Sequence, residues 1–139
     1  MIDTKTVGEA FVKWLEDNNI GTFNDDLYLG QLPLDSPDDA WLVVVAGGSP
    51  DLVTADGGML KLYTFNIYRR SLAGKEIERS LFSLEEKLNC STCVNLEGFE
   101  TIYSRATQFA QDDDLENENR RIGLLQAQVR LYKQNIQIS

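Results

Sequence analysis

Two alternating runs constrain this chain more than any other feature. In "MLKLYTFNIYRRS" the residues Tyr63, Phe65 and Ile67 point one way, and Thr64, Asn66 and Tyr68 point the other. Near the end of the chain Leu125, Ala127, Val129 and Leu131 oppose Gln126, Gln128 and Arg130. Side chains on a strand alternate between faces, so each run predicts a strand with one apolar face for a core. The other face carries Thr64, Asn66, Tyr68, Gln126, Gln128, Arg130 and Tyr132, which tolerate water and can hydrogen-bond a neighbouring subunit. A register slip of one residue would exchange the two sets.

The rest of the chain supplies partners for these strands. From Asp3 to Asn19, Val7, Ala10, Phe11, Trp14 and Leu15 follow the i, i+3, i+4, i+7, i+8 spacing of one helical face. Asp3 or Thr4 can cap its start, Gly21 lies past its end, and Gly8 weakens it by about 1 kcal/mol relative to Ala. "DDLYLGQLP" predicts a short strand, and the turn-rich "LDSPDD" ends it. "AWLVVVAGG" is valine-rich and too short for a core helix, and so predicts a central strand. The glycines, with Ser49, Pro50 and Asp51, predict a long loop from Gly47 to Gly58. "AGKEIERSLFSLEEKLN" places Ile77, Leu81, Leu84 and Leu88 on one stripe of a second helix. "FETIYSRATQF" alternates again. Helices separated from hairpin-joined strands predict an α+β fold in one domain, 1–139, with two helices on one face of a mostly antiparallel sheet.

Charge narrows the partners. The chain has 139 residues with 13 Lys and Arg against 22 Asp and Glu, a formal charge of −9, and this opposes a phosphate-binding face or attachment to an anionic membrane. The first twenty residues hold Asp3, Lys5, Glu9, Lys13, Glu16 and Asp17 and so lack the apolar core of a signal peptide; no stretch approaches a transmembrane span. Residence in a cytoplasm is the expectation, and two cysteines, Cys90 and Cys93, suit a reducing compartment.

No motif carries chemistry. Cys90-Ser-Thr-Cys93 has the spacing of a dithiol or half a zinc site, but the chain has no histidine and no third cysteine. The pair also follows a predicted helix, whereas a reactive thiol profits from a helix N-terminus. Asp112, Asp114, Glu116 and Glu118 have the every-second-residue spacing of a calcium loop, yet Asn117 stands where its glycine belongs and Gly123 where its bidentate glutamate belongs. "GGMLK" lacks the spacing of a phosphate loop. Asp38 and Asp39 form a carboxylate pair in a turn with no companion groups that sequence identifies. The reading is of a protein that is not an enzyme, with no catalytic residues, metal or cofactor.

Three phrases carry a resemblance: "YLGQLPLDSPDDAWLVVVAGGSP", "YTFNIYRRS" followed by "EIERSLFSLEEKLNC", and "DDDLENENRRIGLLQAQVRLYK". Together with the element order they resemble the tail terminators and minor capsid, head-tail joining, proteins of long-tailed bacteriophages. The likeness spreads over nearly the whole chain as a pattern, without one diagnostic motif. It implies a virion structural protein, assembled in the host cytoplasm, of which six copies form a ring. That hexamer would cap the tail tube at its head-proximal end and contact the tail tube protein and head-tail connector proteins. DNA would pass through the ring without specific binding.

By position, the loops Gly47–Gly58 and Asp112–Arg121 would serve ring or docking contacts. The candidate interface residues are therefore Asp112, Asp113, Asp114, Glu116, Glu118, Arg120 and Arg121, joined by Gln126, Gln128 and Arg130 of the polar sheet face. A head-completion or connector protein is the nearest alternative reading. An acidic inhibitor that mimics nucleic acid, or a small thiol enzyme using Cys90, are the alternatives from other classes.

Overall fold

The computed structural model describes residues 6–53, 59–89, 94–114 and 117–133, with the backbone alone at 49–53, 59, 113–114, 117–119 and 133. Helix α1 spans Val7–Asp17, one turn later than the periodicity suggested at its start. Thr6 is its cap. The Thr6 hydroxyl accepts from the Glu9 N–H, and the Glu9 carboxylate accepts from the Thr6 N–H at 3.1 Å, a reciprocal box that satisfies two orphan helix-end donors. Asp3 and Thr4 lie outside the described residues.

Strand β1 (Leu27–Leu29) pairs in parallel with β2 (Ala40–Val53), which pairs antiparallel with β3 (Met59–Ser71). Helix α2 (Gly74–Leu88) follows, then β4 (Glu100–Gln108), β5 (Asp112–Asp114) and β6 (Asn117–Lys133). The sheet order is β1-β2-β3-β6-β4, with β5 pairing β6 beyond the end of β4. This is the expected α+β fold: two helices and a mostly antiparallel sheet.

The alternation places the core where it was expected. Phe65 and Ile67 on β3 and Leu125, Ala127, Val129 and Leu131 on β6 are buried on the helix-covered face, joined by Trp41 and Val43 of β2. Helix α1 contributes Ala10, Phe11, Val12, Trp14 and Leu15, and the Phe11 ring stacks on Phe65 with centroids 4.2 Å apart. Helix α2 contributes Ile77, Leu81, Leu84 and Leu88. Fully burying one such side chain is worth roughly 1.5 to 3 kcal/mol, so this stripe holds α2 to the sheet despite the want of a side-chain cap at Ala73. Gly8 also serves the packing. A Cβ there would come 3.0 Å from Val45 Cγ2 and 3.3 Å from Leu29 Cδ1, so glycine lets α1 approach the sheet.

Two expectations are corrected. The stretch from Gly47 is strand as far as Val53, so the loop predicted from Gly47 to Gly58 does not begin at Gly47; residues 54–58 lie outside the described residues. Register shifts between Val45 and Gly47 and between Pro50 and Leu52 absorb the extra residues as bulges. Pro50 is tolerated because β1 reaches only as far as Val43, leaving β2 a sheet edge beyond it, and an edge strand does not need every N–H.

The acidic loop is likewise a hairpin. Asp112 pairs with Ile122, Asp113 with Arg121 and Asp114 with Asn117, giving β6 a start far earlier than its apolar alternation indicates. Aspartate disfavours strands intrinsically, and here pairing with β6 outweighs that preference.

The β4 edge is blocked by a side chain. Asn89, just past α2, accepts from the Ala106 N–H at 2.8 Å and donates to the Ala106 carbonyl at 3.3 Å, standing in for a neighbouring strand. Blocking an edge in this way opposes adventitious strand pairing there.

Candidate oligomer interface on the open sheet face

Both helices pack on one side of the sheet, so the residues between the core positions define a second face. The Ser36–Asp39 segment covers part of it, over Arg70, and Tyr28, which the register sets beside Leu42, is also buried there, its hydroxyl donating to the Asp25 carbonyl. The register lines its residues up in rows across the strands. One row is Leu42, Tyr68 and Leu124; the next is Val44, Asn66, Gln126 and Thr107. Then come Thr64, Gln128 and Arg105, followed by Leu62, Arg130 and Tyr103. Phe109 donates its N–H to the Leu124 carbonyl at 2.9 Å, stands at the end of the first row and is 45% exposed. The face is therefore not the polar surface read from β3 and β6 alone. A band of Leu42, Val44, Tyr68 and Leu124, all half-buried, runs beside the amides.

The polar residues hold one another in place. Gln126 Nε2 donates to Asn66 Oδ1 at 3.2 Å, Arg105 Nε donates to Gln128 Oε1 at 2.8 Å, and the Arg130 guanidinium lies 4.9 Å from the Tyr103 ring centroid. Groups fixed in this way lose less entropy when a partner arrives.

At the β2 start, consecutive arginines grip the Ser36–Asp39 segment from both sides of the sheet. Arg70, on the open face, donates through Nη2 to the Pro37 carbonyl at 2.5 Å and the Ser36 hydroxyl at 2.9 Å, and through Nε to the Asp38 carbonyl at 3.4 Å. Arg69, on the helix side, lies 5.1 Å from the Trp41 ring centroid, and its Nη2 is 4.0 Å from Asp39 Oδ1. Burial lowers the Arg69 pKa, with the carboxylates of Asp39, Glu76 and Asp26 acting in the opposite direction. Its Nε is buried with no hydrogen-bond partner. Ser71 Oγ donates to Asp39 Oδ1 at 2.5 Å, and Arg120 Nη1 donates to Asp38 Oδ1 at 3.3 Å. The companions that sequence could not assign to Asp38 and Asp39 are thus Arg69, Ser71 and Arg120, and the pair anchors a loop. The readable signal was opposite charge: "YRRS" on a strand and "DSPDD" in the preceding turn.

The candidate interface residues divide. Gln126, Gln128, Arg130 and Arg120 share the open face. Arg121 projects to the helix side, where its Nε donates to Gln111 Oε1 at 3.2 Å and the side chain lies beside Gly74. Adjacent strand residues face opposite ways, so Arg120 and Arg121 cannot act on one surface. Asp112 is exposed in the hairpin. Asp113, Asp114 and Glu118 have a described backbone only, and Glu116, Cys90 and Cys93 lie outside the described residues.

Among the described residues no group of three or more Asp, Glu, Cys or His is placed to hold a metal ion, and no helix is long and apolar enough to cross a membrane. No protein-family model and no curated protein matches this chain.

Proposed function

We propose that this chain is a structural subunit of a long-tailed bacteriophage virion, a tail terminator whose copies form a ring that caps the tail tube and joins it to the head. The observation that carries the reading is the open sheet face. A sheet covered by helices on one side leaves Leu42, Val44, Tyr68 and Leu124 in a continuous band on the other, bordered by amides and arginines that are already oriented. Apolar area rimmed by hydrogen-bonding groups is the make-up of a subunit contact. The sheet with helices on one side also fits the architecture implied by the resemblance in sequence.

The acidic hairpin gives the ring its second property. A wall of like sign to the phosphate backbone lets DNA pass without adhering, because the counterion release that drives binding requires Lys and Arg. The chain's formal charge of −9 makes assembly of several copies repulsive at low ionic strength. Screening over a Debye length of about 8 Å at physiological salt, or a tube tip acting as template, offsets that repulsion.

Light scattering across salt and protein concentration, with and without tail tube protein, tests the reading, alongside a variant carrying Asp112, Asp113 and Asp114 as Asn. The expected result is a ring-sized mass favoured by salt or tubes and formed more readily by the variant. A monomer under every condition, tubes included, would overturn it. Assembly on head connectors without binding to tubes would move the ring to the head side of the joint.

A further inference from the structure

The open face is chemically symmetric across its strands. Along the rows, each β3 residue matches its β6 neighbour in character: Tyr68 beside Leu124, Asn66 beside Gln126, Thr64 beside Gln128, and Leu60 beside Tyr132. The flanks match as well. Leu42 of β2 and Phe109 beyond β4 close the first row on its two sides, and Val44 and Thr107, both β-branched, close the second. The row of Leu62 and Arg130 breaks the match, and there the guanidinium leans outward over Tyr103 of β4. The face also carries no excess of charge. Arg70 is buried on the carbonyls of the Ser36–Asp39 segment and Arg120 is paired with Asp38, while among the other described side chains Arg105 and Arg130 stand against Glu100 and Asp112. The helix side is acidic: α1 holds three acids and one base, and α2 four acids and three bases.

We propose that a second copy of this chain covers the open face, sheet on sheet, about a two-fold axis that runs along the strands between β3 and β6. Such an axis sets β3 of one copy over β6 of its partner and keeps every row on its own counterpart. Tyr68 then meets the partner's Leu124, and Leu42 meets the partner's Phe109, apolar on apolar. The amide rows are complementary too. Gln126 Nε2 donates to Asn66 Oδ1 within the chain at 3.2 Å, which leaves Asn66 Nδ2 to donate to the partner's Gln126 Oε1, and the reverse across the axis. Leu62 receives the aliphatic stem of the partner's Arg130. Like charges stay apart, because β4, with Arg105, lies over opposite edges in the two copies. The two Ser36–Asp39 segments, each held over its own Arg70, also sit over opposite halves of the paired sheets.

The size suits a stable pair. Four strands and five rows, from Tyr68 and Leu124 to Leu60 and Tyr132, give each copy roughly 650 Å² of flat sheet at the usual strand and row spacings. Two copies together reach about 1,300 Å², within the range of specific interfaces. Electrostatics favours the same arrangement. In a chain of formal charge −9, pairing through the helices would bring acids together, whereas pairing through the open faces turns both helix layers outward. Helix layers on the far sides of two sheets stacked about 10 Å apart lie well beyond a Debye length of about 8 Å. A two-fold contact closes at two copies and builds no ring. The pairing goes beyond the ring reading and does not depend on it: on that reading, the pair is the form of the chain away from the tail, opened when a tube tip offers the ring contact.

Sedimentation equilibrium of the full-length chain without tubes tests the pairing, with circular dichroism matching the wild type as the sign that each variant folds. The wild type should form a dimer and nothing larger. Leu124→Glu should raise the dissociation constant about thirtyfold or more, the loss expected at the centre of an interface. Phe82→Ser, on the outer side of α2 where the ring is 55% exposed, should leave it unchanged. Val44→Lys and Thr107→Glu test the axis. The two positions share a row but have β3 and β6 between them, so they meet only across the two copies. Each alone should weaken the dimer about tenfold by burying an unpaired charge, and both in one chain should restore it, since each lysine then faces the partner's glutamate. A wild type that is monomeric or passes straight to a ring, or a dimer untouched by Leu124→Glu, would overturn the pairing and leave the ring reading standing. Loss in both single variants without restoration in the double variant would overturn the axis. A dimer that behaves as described but never assembles on tubes would defeat the ring reading and support the pairing.

Discussion

Gly123 of β6 lies directly beneath Ile77 of α2: a Cβ built on the glycine would stand 2.5 Å from Ile77 Cγ2 and 2.7 Å from Leu81 Cδ1. No relaxed side chain tolerates such distances. Gly123 therefore sets how closely the second helix approaches the sheet, and with it the burial of the whole α2 stripe.

Gly123→Ala should push α2 outward and destabilise the fold by about 1 to 3 kcal/mol, the usual cost of overpacking a close-packed core. Chemical denaturation with an unchanged slope would report it. An alanine variant as stable as the wild type would show that the helix shifts freely and that this contact is not limiting.

Leu84 is fully buried on the inner side of α2. Leu84→Ala should cost about 2 to 5 kcal/mol through lost transfer energy and the cavity left behind. A stable variant that failed only in binding a partner would place this stripe outside the core, contrary to the packing described above.

Arg70 holds the main-chain carbonyls of Ser36, Pro37 and Asp38 at one end of the open face. Arg70→Ala leaves these acceptors without their donor and should cost about 1 to 3 kcal/mol. Limited proteolysis beside the fully exposed Leu34 should also accelerate. Arg70→Lys should rescue little, because a single ammonium cannot reproduce the fork that spans several acceptors. Equal protease resistance in all three proteins would refute the clamp.

The Thr6 and Glu9 box predicts a graded series at the start of α1. Thr6→Ala should lower stability by about 0.5 to 2 kcal/mol, whereas Thr6→Ser keeps the hydroxyl and should stay close to the wild type. A loss on Thr6→Ser as large as that on Thr6→Ala would point to packing of the threonine methyl in place of the cap.

Local pattern was enough to determine part of this protein. The alternation of Phe65 and Ile67 with Thr64 and Asn66 assigns faces because strand side chains must alternate. The spacing of Ile77, Leu81, Leu84 and Leu88 assigns the inner side of α2 because a helix repeats every 3.6 residues. These signals sit within a few residues of one another, so they can be read without knowing what lies opposite.

What only the tertiary structure decided depends on neighbours distant in the chain. The stretch beyond Gly47 is strand because β3 pairs with it and bulges absorb its irregularities, although glycine and proline spell a loop locally. The Asp112–Asp114 run is strand because β6 is there to pair with it. The open face acquired its apolar band only when β2 came beside β3, bringing Leu42 next to Tyr68, and β6 brought Leu124 to Tyr68 from the other side. Strand order and register are non-local, set by the packing of the whole chain, and a surface assembled from several strands exists only once they are in place.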